Sequence, residues 1–476
     1  MAEMNCPDIQ NIKMNQPAKT FSLIGIVVFL LLAMHLLPTL SVGDIELRHV
    51  NILSSLLPEP EAKETEVVAV SKPRKSATVA VTVQGKHVQF TEKWGKGIAP
   101  IIDYSNGKTG GMEHFYAALD SIKLLRRPVR IAYYGDSYIE GDIFTADIRE
   151  MFQAKFGGSG VGWVDCGTGL ANLRRSVVQK HSGIKEYSVV KKPFNYDRQS
   201  LAERYYIPSE GARVTAKGSR FYEHAKYWSS AKLFFRTASS ISVKVETPDG
   251  SSVSHFFDGS PDVRMLETSG NMQSITYRFS DVGEGTTLFG MALESGKGVI
   301  LDNFSMRGSS GTTLAKIPMN TLYDFNNMRP YDLIILHFGL NVAVKGNPVS
   351  VLRAYTNKMK KAVQHFRAAF PTASILVISV PDRDQRSADG IKTMREVKNL
   401  VTLQDRLAAD MQVGFFNFFE AMGGEESVKQ LVDRNMANKD YTHLSFGGGR
   451  AVAKKVFPSF VAGLDNYKRR KKIEQE

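Results

Sequence analysis

Val129–Asp142 reads VRIAYYGDSYIEGD. Its first six residues form a short apolar run rich in β-branched and aromatic side chains, the composition of a buried strand. Gly135-Asp136-Ser137 breaks that run, because glycine and aspartate favour tight turns. From Thr145 to Phe156 the apolar residues Ile148, Phe152 and Phe156 recur at helical spacing. Ser137 is therefore expected at a strand-to-helix junction.

The same grammar extends in both directions. Upstream, Phe115, Leu119, Ile122 and Leu125 predict a helix over Met112–Leu125. Downstream, Asp332–Phe338 (DLIILHF) and Ser374–Val380 (SILVISV) read as buried parallel strands, with a helix over Val349–Phe370 between them. Lys454–Phe460 predicts a last helix. From Glu186 to Ile300 the texture differs. Short strand-like runs, Ala231–Arg236 and Ile241–Glu246 among them, are punctuated by Pro248-Asp249-Gly250, Asp258-Gly259 and Gly283–Gly285. That spacing predicts an antiparallel β unit set into an α/β domain.

A chain of 476 residues is too long for one ordinary core and predicts two or three units. The net charge of +13 raises the question of nucleic acid or an acidic surface. The positive residues are dispersed, however, and the densest run, Lys468–Lys472, reads as a solvated tail. Zinc-finger spacing, a phosphate-binding Gly-Lys-Ser/Thr loop and an RNA-binding aromatic motif are all missing from the sequence, so nucleic acid is not an expected partner. The two cysteines, Cys6 and Cys166, fall on opposite sides of an apolar segment. They predict neither a disulfide framework nor a cysteine-rich metal site.

That segment, Phe21–Leu40, contains no Asp, Glu, Lys or Arg. It is long enough to cross a bilayer as a helix. Lys13 and Lys19 precede it, and Asp44 and Glu46 follow, which predicts a cytoplasmic N-terminus. A cleaved signal peptide is the rival reading, but Thr39–Gly43 makes a poor cleavage site. The expectation is an uncleaved single-pass anchor with most of the chain outside the cytoplasm.

Four short segments carry candidate chemistry: Gly135-Asp136-Ser137, Asn303–Gly311, Gly339-Leu340-Asn341 and Asp440-Tyr-Thr-His443. The first three follow strand-like runs, and carboxyl ends of parallel strands converge on one sheet edge. A serine hydroxyl needs a base to accept its proton, and that base needs an orienting group. His443 suits the first role and Asp440, three residues earlier, the second. Negative charge developing on a carbonyl oxygen needs donors, here the Ser137 and Gly311 backbone N–H groups and the Asn341 amide. Each element alone has a plainer reading. Gly-Asp-Ser is a common turn, Gly308 and Gly311 can serve turns, Asn341 can end a strand, and His443 can be structural. Their order and complementary roles favour the joint reading.

Together these segments resemble the four blocks of the SGNH/GDSL hydrolase superfamily, supplying Ser137, Gly311, Asn341 and His443. In the second block Gly308 is the alternative to Gly311. The extended match GDSYIEGD, with Phe144-Thr145 and Phe156–Trp163, is similar to the branch acting on O-acetylated peptidoglycan in bacterial envelopes. The resemblance implies a three-layer α/β/α domain around a parallel sheet, interrupted by a β-rich, jelly-roll-like and carbohydrate-binding-like insert. The expected organisation is a cytoplasmic segment (1–20), a transmembrane anchor (21–40), a linker (41–90, clearest over 58–78), catalytic parts at 110–185 and 301–462 flanking the insert at 186–300, and a basic tail (463–476).

The resemblance further implies a serine esterase removing O-acetyl groups from an envelope polysaccharide, peptidoglycan first among them, with no metal or organic cofactor. Its place would be the periplasmic side of the bacterial inner membrane. An O-acetyltransferase using the same residues is the alternative. A non-catalytic glycan-binding protein is another, in which Tyr227, Trp228 and Phe256-Phe257 stack on sugar.

Overall fold

The computed structural model describes residues 16–35, 41–42, 45–46, 78–83 and 86–475, apart from 107–109, 170 and 389. Cys6 and most of the expected linker lie outside the described residues. The chain divides into two units, residues 1–65 and 66–476. The first contains a helix, Gln16–His35, whose apolar side chains such as Phe21 and Phe29 are exposed. Among the described residues no helix is long and apolar enough to cross a membrane. The expected anchor continues through 36–40, outside the described residues.

The second unit is built on a six-stranded sheet. Its order is Val299–Ser305, Val129–Gly135, Leu333–His337, Ser374–Ile378, Gly414–Phe416 and Ile101–Asp103. The first five strands run parallel and the last antiparallel. All seven residues of Val129–Gly135 are buried, as a central strand covered on both faces requires. The helices Thr145–Phe156 and Val349–Ala369 turn apolar stripes to the core, with Phe152 and Phe366 buried. Gly135 ends the central strand for a steric reason. A Cβ there would lie 2.9 Å from the Ile139 side chain and 3.0 Å from the His337 carbonyl oxygen.

A seven-stranded antiparallel sheet begins after Val129–Gly135 in the chain. Its long strand Trp228–Glu246, which pairs with Ser252–Met272 on one side, changes partners along the other. Val243 pairs with Phe279 in one stretch, while Leu233 pairs with Met291 in another. Register shifts between Phe235 and Ser240 bend the strand, as bulges do. The strands wrap a core of their own that includes Val214, Phe235, Ile241 and Tyr277.

Several expectations shift. The β unit starts earlier than residue 186, since Val177–Ser188 and Gly162–Val164 already pair within it. It ends at Glu294, because Val299–Ser305 belongs to the parallel sheet beside Val129–Gly135. A boundary at 300/301 would cut that strand. The first helix covers only Glu113–Asp120, and Leu124 is exposed. Its C-terminal Asp-Ser pair is a weak helix former, and Ser121 turns the chain. The last helix is far longer than expected, Phe446–Gln475, and absorbs the basic tail. Those cations have partners: Lys468 meets Asp120 at 3.3 Å, and Arg470 and Lys471 each meet Glu113 at 2.7 Å.

A buried ion network fastens the β unit to the parallel sheet. Glu294 accepts from Arg130 at 2.8 Å, Lys232 at 2.7 Å and Arg329 at 2.7 Å. Arg329 also pairs with Asp302, to which Tyr331 donates at 2.6 Å. Burial penalises the Glu294 carboxylate, yet Arg329 and Arg130 hold it well below its ordinary range.

Candidate active site

The carboxyl ends of three adjacent strands bring the candidate segments to one edge of the sheet. Val129–Gly135 delivers Ser137, Val299–Ser305 delivers the 306–311 loop, and Leu333–His337 delivers Asn341. The chain turns into a short 3-10 helix at Ser137, capped by the Asp136 side chain, which accepts from the Tyr138 N–H at 3.0 Å. Asp136 is buried and also accepts from the backbone N–H groups of Leu340 and Gly339, tying the serine turn to the asparagine loop. Burial pushes its carboxyl up to about 6 against the pull of those bonds.

Ser137 Oγ lies 2.9 Å from His443 Nε2. His443 Nδ1 lies 2.7 Å from Asp440 Oδ2. The other Asp440 oxygen accepts from the backbone N–H groups of Thr442 and His443, both at 3.0 Å. The His443 bond and these backbone donors outweigh partial burial and hold the Asp440 carboxyl below its ordinary range. Asp440 is thus an anion fixed by its own loop, and it can hold the imidazole in one orientation. The His443 and Asp440 side chains are 40% and 48% exposed, so the relay is open to a bulky substrate.

The 306–311 loop meets the asparagine loop through a residue that sequence reasoning passed over. The Ser309 carbonyl accepts from the Asn341 amide at 2.9 Å, and the Ser309 hydroxyl accepts from the Gly311 N–H at 3.0 Å. The Gly311 N–H, expected to face an oxyanion, is thus already taken by Ser309, while the Asn341 amide, with two N–H groups, uses one of them on the same residue. Gly311 has φ +80°, and a Cβ would fall 2.6 Å from the Phe338 ring, so only glycine fits. Gly308, the alternative, also has positive φ but opens onto free space.

Further residues brace these loops. Glu203, from the β unit, accepts from the Ser309 hydroxyl at 3.4 Å and from the Thr313 hydroxyl. Burial pushes its carboxyl up to about 7. Arg307 clasps the buried Glu140, its Nε lying 2.8 Å from Oε2, and so links the 306–311 loop to the serine turn. Asp142, in that same turn, is held by Arg149 at 3.0 Å and Arg174 at 2.8 Å. Despite burial, these two arginines keep its carboxyl far below the usual range. The acids of YIEGD offered a signal of a charged turn, but their partners are distant in sequence. Glu203 carried no such signal.

No family model matches the sequence, and no curated protein matches it. Solved structures do. A peptidoglycan O-acetylesterase superposes with a TM-score of 0.60 at 22% identity, covering 77% of this chain and 99% of its own. Weaker likenesses reach a GDSL-like lipase from Parabacteroides merdae (TM-score 0.26, 14% identity, 35% of this chain and 74% of that one). They also reach a family two carbohydrate esterase from Cellvibrio japonicus (TM-score 0.23, 10% identity, 61% of this chain and 99% of that one). In fold, this chain is similar to a peptidoglycan O-acetylesterase.

Proposed function

We propose that the chain is a serine esterase that removes O-acetyl groups from a cell-envelope polysaccharide, peptidoglycan in particular. The observation that carries this reading is the continuous relay from Ser137 through His443 to Asp440 at 2.9 and 2.7 Å. Ser137 Oγ attacks the acetyl carbonyl while His443 Nε2 takes its proton. The carbonyl oxygen becomes an oxyanion beside the Ser137 N–H, the Asn341 amide and the 306–311 loop. His443 returns the proton to the departing sugar oxygen, leaving acetyl-Ser137. Water then attacks the acetyl carbonyl as His443 takes its proton, and acetate leaves as His443 passes that proton to Ser137 Oγ. The fold shared with a peptidoglycan O-acetylesterase supports the choice of substrate.

The test is acetate release from O-acetylated peptidoglycan. The wild-type chain should release acetate, and Ser137→Ala should not. Supplying an unacetylated glycan as acceptor with an acetyl donor separates this reading from a transferase: acetyl-sugar in place of free acetate would move the assignment. The proposed setting is the periplasmic face of the bacterial inner membrane, with Phe21–Leu40 as an uncleaved anchor. Protease added outside spheroplasts should digest the 66–476 unit and leave a short membrane-bound fragment.

A further inference from the structure

Phe446 opens the helix three residues beyond His443, and the Arg175 guanidinium lies 3.8 Å from the centre of its ring. The same guanidinium lies 5.5 Å from the centre of the Phe221 ring. Arg175 is exposed, and Phe221 is 68% exposed. These three side chains form a ridge running from the His443 loop onto the β unit. There Phe221 helps to line a shallow groove of about 560 Å³, together with Lys180, Lys217 and Arg220.

Strand register extends the positive charge beyond the groove. Lys180 pairs with Thr215, two residues before Lys217, so all three side chains share one face. The next row across that face holds Arg213, Arg278 and Lys244, all exposed. The carboxylate that register places in these rows, Glu246, is already held by Arg278 at 2.7 Å. A polar outer face is ordinary for an antiparallel sheet. A face on which exposed cations outnumber carboxylates, joined by stacked aromatic and guanidinium groups to a candidate nucleophile, has a more specific use.

We propose that the Phe446–Arg175–Phe221 ridge and the Lys180–Lys217–Arg220 groove bind a carboxylate-bearing glycan polymer while an ester on the same polymer reaches Ser137. The aromatic ring offers an apolar face to a sugar ring, and the cations pair with carboxylates that a neutral glycan lacks. The proposal rests on the esterase reading for the event at Ser137, but the binding it describes does not require turnover.

Co-sedimentation of the full chain, in detergent, with purified peptidoglycan sacculi tests it, with neutral chitin as the comparison polymer. Lys180→Ser, Lys217→Ser and Arg220→Ser combined should weaken binding to sacculi about tenfold, and raised salt should do the same to the wild type. Phe221→Ser should weaken it independently. Hydrolysis of p-nitrophenyl acetate should be unchanged in both variants, which also reports that they fold. Chitin should bind far more weakly than sacculi. Equal binding of sacculi by the wild type and the triple variant, or equal binding of chitin and sacculi, would overturn the proposal. A wild-type chain that binds sacculi through the groove yet hydrolyses no ester would instead uphold the groove and defeat the esterase reading.

Discussion

The Ser309 hydroxyl donates to Glu203 Oε2 at 3.4 Å although the two residues lie 106 positions apart and belong to different parts of the fold. Ser309 in turn touches both Gly311 and Asn341. Glu203 is therefore a positioning residue, by which the β unit sets the loop that would face a developing oxyanion. Glu203→Ala should lower kcat about tenfold with little change in KM, because it loosens donors used mainly in the transition state. Glu203→Gln should recover most of the loss. Steady-state kinetics on an acetyl ester checks both.

The same residue predicts a pH effect on stability. Its folded carboxyl titrates at about 7, above its ordinary 4.5. Its protonation thus favours the folded state fully below pH 4.5, and that contribution is lost as pH rises to 7. Glu203→Gln cannot lose a proton. From pH 4.5 to 7 the wild type should lose about 1–3 kcal/mol relative to this variant. Urea unfolding at pH 4.5 and 8 measures the difference, and the opposite slope would refute it.

Removing Ser137 or His443 should each lower kcat by about 10⁴-fold or more. The double variant should be no worse than either single one, since the two act as one relay. Asp440→Asn should also be severe, because an amide presents the imidazole with a different hydrogen-bond partner. Additive losses in the double variant would show that the 2.9 Å contact is not used in turnover.

Asn341→Ala should cost about 100–1000-fold in kcat if its amide reaches the oxyanion. Gly311→Ala should cost at least as much, with a loss of thermal stability as well, because its φ of +80° and the Phe338 ring both exclude a side chain. Gly308→Ala, with open space around it, should perturb the fold less. Melting temperatures beside kinetics separate the two glycines.

Arg329 is fully buried between Glu294 and Asp302. Arg329→Met leaves both carboxylates without a main partner and should destabilise the chain by about 3–5 kcal/mol. The cost should shrink as pH falls, because Glu294 is held below its ordinary range and its stabilising contribution disappears on protonation. Denaturant midpoints at pH 7 and 4 provide the comparison.

What could be read from sequence was what periodicity and short-range order encode. The strand before Ser137, the helix Thr145–Phe156 and the Asp440–His443 spacing are local patterns, and each has a counterpart in the structure. Long-range pairings were invisible. Nothing near Glu203 announces Ser309, and nothing in Glu294 announces three cations drawn from distant parts of the chain. Residues 463–476 looked like a solvated tail because Glu113 and Asp120, which meet its cations, lie more than 300 residues earlier. The 300/301 boundary cut through Val299–Ser305 because an apolar run does not reveal which neighbour it pairs with.

The helix that begins just after His443 runs for 30 residues, from Phe446 to Gln475. At 1.5 Å per residue it is about 45 Å long. A label placed near Gln475 would therefore stand about a domain's width from the start of the helix beside His443.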